Sequence, residues 1–195
     1  MQQLLTNYVP LMYDRNIIME AISKNGAVVL KNAILQRANV KNQNGRIYPR
    51  PILMREVEKY QQEFINQRRA LGELDHPESP VVNLKNVSHN ILNCHWEGDD
   101  LIGDIEVLST PSGNILKELL KNNIRLGISS RALGSVKELG EGTVEVGEDL
   151  QLISFDCVSN PSTHGAFINE SVTPKKHDEY SVINELIYDF LSEIR

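Results

Sequence analysis

Cysteine is scarce in this chain of 195 residues: there are two, Cys94 and Cys157. Two thiols cannot build the disulfide framework of a small secreted domain, and their separation matches no zinc-ligand pattern, so both read as buried thiols in a reducing compartment. Long apolar runs are missing as well. Nothing approaches the roughly 20 residues needed to span a bilayer, and the N-terminus lacks a basic segment followed by an apolar core, so no membrane insertion is expected. Positive charge is the scarcer sign, with Lys+Arg 20 against Asp+Glu 26 and a net charge of -6, which argues against a general nucleic-acid binder. Repeats and low-complexity tracts are absent. A hydrophobic fraction of 41% beside a charged fraction of 24% is a globular composition, so the chain is expected to fold as one domain with a peripheral segment at either end.

Residues 1–26 show no sustained period and read as an N-terminal arm or removable leader. From Ala27 to Val40 the Val, Ile and Leu content predicts a long or bent strand, closed by the Asn44-Gly45 turn. Prolines at 49 and 51 precede apolar residues at helical spacing (Ile52, Leu53, Val57, Tyr60, Phe64), which predicts an amphipathic helix over 50–68. Residues 87–108 read as a hairpin turning at Glu97-Gly98-Asp99-Asp100, and Thr110-Pro111-Ser112 as a helix start. A bent strand follows, its glycines at 127 and 134 permitting a bulge. Next come a turn at Leu139–Gly142, a strand at 143–146 and an apolar strand at Leu150–Val158. Tyr180–Arg195 resumes helical spacing beyond a polar linker. Many strands joined by hairpins, with two or three helices, predict a mixed α+β fold that is mainly β and more barrel-like than doubly wound.

Two stretches carry chemistry. Gly127-Ile128-Ser129-Ser130-Arg131-Ala132-Leu133-Gly134-Ser135 offers adjacent hydroxyls followed by an arginine, and Gly72-Glu73-Leu74-Asp75-His76-Pro77 offers a histidine fixed in extended backbone by the following proline. A serine hydroxyl needs a base within hydrogen-bond reach and donors for the oxyanion, so Ser129 or Ser130 is a candidate nucleophile and His76 a candidate base. Arg131 or nearby N–H groups are candidate oxyanion donors. Asp156 lies inside an apolar strand, where an isolated carboxylate is costly, and must be solvated or paired. His89 and His95 share a strand face but lack further ligands nearby, so no metal site is expected.

These motifs, together with Gly45-Arg46-Ile47-Tyr48-Pro49 and in this order, closely resemble the prohead core proteases of T4-type tailed phages. The resemblance runs from about Ala27 to Thr173. Because that family is related in fold to the herpesvirus maturation proteases, it implies a closed β-barrel flanked by helices over 27–173, with 174–195 as a linker and helical tail. It also implies a serine endopeptidase that cleaves scaffold and major capsid proteins inside the prohead, in the host cytoplasm, with no cofactor. A homo-oligomer is compatible with this picture. Carried over by position, the base is His76 and the nucleophile Ser129. Asp156 is the preferred third member, with His164 the alternative, and Ser130 and Arg131 are expected to support the oxyanion loop. The family's preference for cutting after a glutamate that follows an aliphatic residue by two positions implies self-cleavage at Glu20, Glu170, Glu185 or Glu193. Two rivals stay open: a non-catalytic assembly component with the same fold, and a cysteine hydrolase using Cys157.

Overall fold

Ten strands interspersed with three α-helices make up the computed structural model, which describes residues 2–24, 26–77 and 79–159. His164, Glu170, Glu185, Glu193, the 174–195 tail and the boundary at 173 lie outside the described residues. The elements that place the site are β1 (Gln3–Pro10), β2 (Val28–Arg37), α2 (Arg50–Tyr60), β4 (Leu71–Glu73), β5 (Val87–Glu97), β6 (Asp100–Val107), β7 (Gly127–Gly134) and β10 (Gln151–Val158). Helix α1 spans Arg15–Ser23 and α3 spans Pro111–Lys121, while the short strands β3 (Arg46–Ile47), β8 (Val136–Gly140) and β9 (Thr143–Val146) form a small outlying sheet.

The expected 87–108 hairpin is β5 and β6, paired antiparallel and turned at Gly98 in left-handed backbone (φ 58°). Helix α3 starts where the sequence signals it: the Thr110 hydroxyl accepts from the Gly113 N–H at 3.0 Å, satisfying one of the donors a helix start leaves free. The 50–68 helix is α-helical only to Tyr60. It continues as a π-helical turn over Gln61–Ile65 and stops at Arg68, whose φ of 52° an α-helix cannot contain.

Pairing divides the main strands into a three-stranded sheet, β1-β7-β10, and a four-stranded sheet, β2-β6-β5-β4. Among the described residues no sheet closes on itself. The two meet along one edge through a single parallel bridge, Leu74 with Cys157, and β1 packs on β2 along the other. Leu30, Leu35, Ile91, Leu101, Ile105, Ile128 and Phe155 fill the space between them.

Residues 3–10, read from sequence as an arm or leader, are an edge strand of the site-bearing sheet. Leu5 and Val9 of β1, then Leu11 and Ile18, are buried in the core. The pattern is hidden in sequence because Asn7 occupies the inward position between Leu5 and Val9, where its side-chain oxygen accepts from the Asn42 amide at 2.7 Å. The glycine-permitted bulge expected near Ser129 is also absent: β7 pairs in unbroken register with β1, and the irregularity lies on β10 between Leu152 and Ser154. Gly127 instead answers to packing, since a Cβ there would land in the Tyr8 ring.

Candidate active site

The nucleophile candidate sits mid-way along β7, the central strand of its sheet. Ser129 is opposite Asp156 on β10 and opposite Tyr8 on β1. Directly paired residues project to the same face, so Asp156, Ser129 and Tyr8 form one row across three strands. Ser130 points to the other face, where its buried hydroxyl accepts from the Gln36 side-chain amide at 3.0 Å. Strand alternation therefore separates the two serines.

His76 arrives from β4. After the Leu74 bridge, the Asp75 N–H donates to the Cys157 carbonyl at 2.7 Å, tying the strand end to β10 beside Asp156. Asp75 itself is left-handed (φ 69°), a conformation aspartate tolerates better than most residues, and its carboxylate accepts the His76 N–H at 2.9 Å. That turn delivers the imidazole over the row: Nε2 lies 2.6 Å from the Ser129 hydroxyl oxygen and Nδ1 lies 3.1 Å from Asp156 Oδ2. The second contact is at ion-pair distance without hydrogen-bond alignment. Asp156 is fully buried and Ser129 nearly so, while the His76 side chain keeps 22% of its exposure, which leaves the imidazole as the accessible member.

Asp156 meets the requirement that its burial imposes. Its Oδ1 accepts from the Glu73 backbone N–H at 3.0 Å and from the Ser154 hydroxyl at 3.1 Å, and the Arg131 guanidinium approaches both oxygens. Arg131 is 0% exposed and belongs to the strand, not to a loop. Since β7 is paired on both sides, its N–H groups face neighbouring strands, and the backbone donors expected around Ser130 and Arg131 are not free to meet an oxyanion.

Two buried side chains near the site were not singled out as functional in the sequence. Glu73 is fully buried, 2.8 Å from Arg131. An acid between apolar neighbours in Gly72-Glu73-Leu74 was the available signal, but its partner is distant in sequence. His89, considered above only as a metal ligand, is fully buried, hydrogen-bonded to the Ser88 hydroxyl at 2.9 Å and to the Phe155 carbonyl at 2.8 Å. Burial holds its imidazole below the ordinary histidine range. Among the described residues no group of three or more His, Cys, Asp or Glu side chains is poised to hold a metal, and no helix is long and apolar enough to cross a membrane. Cys157 is buried beside Asp156, and burial pushes its thiol well above the usual range, away from the thiolate a nucleophile needs.

A family model described as prohead core protein serine protease matches residues 10–180. The chain belongs to this family. It is 36% identical over 151 residues to the prohead core protein protease of Enterobacteria phage T4, an alignment covering 75% of this chain and 68% of that protein. The structure of the bacteriophage T4 capsid assembly protease superposes with a TM-score of 0.72 at 26% identity, covering 82% of this chain and 99% of the other. A prohead protease of this family is a peptidase.

Proposed function

We propose that this prohead protease cuts peptide bonds by serine acyl transfer, with Ser129 as nucleophile, His76 as general base and acid, and Asp156 as the third member. The observation that carries the reading is the imidazole held 2.6 Å from one hydroxyl and 3.1 Å from one buried carboxylate. His76 Nε2 takes the Ser129 proton as the hydroxyl oxygen bonds to the peptide carbonyl carbon. The same proton passes to the leaving amine as the C–N bond breaks, and water repeats the sequence on the ester. Asp156 faces Nδ1, where it orients the ring and meets the positive charge the imidazole acquires. The 3.1 Å approach of its carboxylate to Nδ1 supports Asp156 as the third member.

The substrates on this reading are the scaffold and major capsid proteins of an assembling prohead, and the chain itself. Among the self-cleavage candidates Glu20 has an exposed side chain but a folded backbone. It lies in α1, and the residue two positions before it, Ile18, is buried in the core. That counts against Glu20 and leaves Glu170, Glu185 and Glu193 as the candidates on this reading. A barrel is the finer reading of the fold, supported by the Leu74–Cys157 bridge at one edge and the packing of β1 on β2 at the other. A non-catalytic assembly component would have no use for a histidine aligned on a serine at this distance.

Co-expression with the cognate scaffold protein tests the reading. Wild type should process the scaffold and Ser129→Ala should leave it whole. Equal processing by both would overturn the proposal.

A further inference from the structure

Arg131 and Glu73 are fully buried charges to which the acyl-transfer steps assign no part. Arg131 lies two residues beyond Ser129 on the same face of β7, and all three of its nitrogens are engaged. Nε is 3.0 Å from Asp156 Oδ2 and 3.0 Å from the Ser154 hydroxyl. Nη1 donates to the Ser79 carbonyl at 2.6 Å, and Nη2 donates to Glu73 Oε1 at 2.8 Å and to Asp156 Oδ1 at 3.3 Å. One planar guanidinium thus joins β4, β10 and the loop that follows His76, and serves carboxylates instead of an oxyanion.

Glu73 closes the cluster. Its N–H donates to Asp156 Oδ1, its Oε1 also accepts from the Asn83 N–H at 3.0 Å, and its Oε2 has no hydrogen-bond partner among the described residues. Two carboxylates and one guanidinium leave one uncompensated negative charge out of water while His76 is neutral, and none when His76 is an imidazolium. Buried charge is costly unless paired, so the cluster is best balanced in the protonation state that His76 reaches during catalysis.

Resting on the triad reading above, we propose that Arg131 and Glu73 are positioning residues acting on His76 through Asp156: Arg131 fixes the orientation of the Asp156 carboxylate, and Glu73 supplies the extra negative charge that the imidazolium neutralises. Among the described residues the charged groups next to His76 are Asp75 from its own loop and Asp156 from β10, with Arg131 from β7 touching Asp156 and Glu73 from β4 touching Arg131. His89 from β5, Tyr8 from β1 and Tyr60 from α2 pack around the cluster and stay uncharged near neutrality, because burial lowers the first and raises the other two.

The test measures how fast a fluorophosphonate probe phosphonylates the full-length protein across pH. That reaction forms a Ser129 Oγ–P bond, expels fluoride and needs neutral His76 as base. Glu73→Gln keeps an acceptor for Arg131 and Asn83 but removes one negative charge. The imidazolium is then less favoured, and the acid limb of the profile should move to lower pH by at least about half a unit. Arg131→Met removes the positive charge and should move the limb to higher pH. Arg131→Lys, keeping the charge but not the fork, should leave the limb in place and lower the plateau at least about tenfold. A structural role alone moves no limb, so coincident limbs for Glu73→Gln and wild type, or shifts of the same sign for Glu73→Gln and Arg131→Met, overturn the proposal. If Arg131→Met does not fold, Glu73→Gln and Arg131→Lys decide it. Failure of the triad reading shows separately, as labelling that survives Ser129→Ala.

Discussion

Replacing Gly72 with alanine tests how closely β4 must lie on β10 for His76 to reach its partners. A Cβ on residue 72 would overlap the Phe155 carbonyl oxygen and the Nε2 and Cε1 atoms of His89. One of these is backbone and the other a fully buried ring, so neither yields cheaply, and relief requires β4 to lift or the His89–Phe155 hydrogen bond to break. Overpacking of this kind costs about 1–3 kcal/mol. Leaving the buried imidazole and carbonyl unpaired costs about 1–3 kcal/mol more. The sum, roughly 2–6 kcal/mol, is a large share of the ~5–15 kcal/mol that holds an ordinary domain together. Urea unfolding should therefore show a markedly lower midpoint for Gly72→Ala. Peptidase activity should fall even where the variant is folded, because Glu73 and His76 ride on the displaced segment. Gly98→Ala is the control: its Cβ meets open space, and only left-handed strain of about 1 kcal/mol is expected. A Gly72→Ala variant within 1 kcal/mol of wild type and fully active would refute the close approach of β4 to β10 as a requirement of the site.

Ser130→Ala should retain cleavage, since that hydroxyl lies on the face opposite Ser129, and should lose about 1 kcal/mol of stability as the Gln36 amide loses its acceptor; paired activity and unfolding measurements check both. Stability should fall as pH drops below about 6.5, because the unfolded chain then takes up a proton that the buried His89, with its lowered pKa, resists. The limiting slope from this one group is ~1.4 kcal/mol per pH unit, and urea midpoints at neutral and mildly acid pH for wild type and His89→Gln measure it. Intact-mass analysis of active protein should find new termini after Glu170, Glu185 or Glu193 and none after Glu20, with no processing in Ser129→Ala. Cleavage after Glu20 would mean that α1 unfolds despite the burial of Ile18.

The parts of the fold legible in sequence were those whose signals are local. Thr110-Pro111 caps α3, and the apolar run at Leu150–Val158 is the strand β10, with Asp156 in it paired as its burial demands. What escaped depended on contacts between distant residues. Strand β1 was hidden because Asn7 sits at a core position and is satisfied by Asn42, in a loop that sequence alone does not bring near. Gly127 was legible as a special position but not as the floor beneath Tyr8. His76, Ser129 and Asp156 were each singled out by their motifs and family resemblance. Their convergence depends on strand order: β7 lies between β1 and β10, and a lone bridge sets the end of β4 against β10. Arg131 was noticed beside the serines, but the carboxylates that it joins come from two other strands and were not foreseen.

On the triad reading one hydroxyl, held by one histidine, does the chemistry. Peptide mapping of full-length protein labelled with a fluorophosphonate measures this directly. A single adduct on Ser129 is expected, lost in Ser129→Ala and His76→Ala and persisting in Cys157→Ala. An adduct on Ser130, or loss of labelling in Cys157→Ala with Ser129 intact, would contradict it.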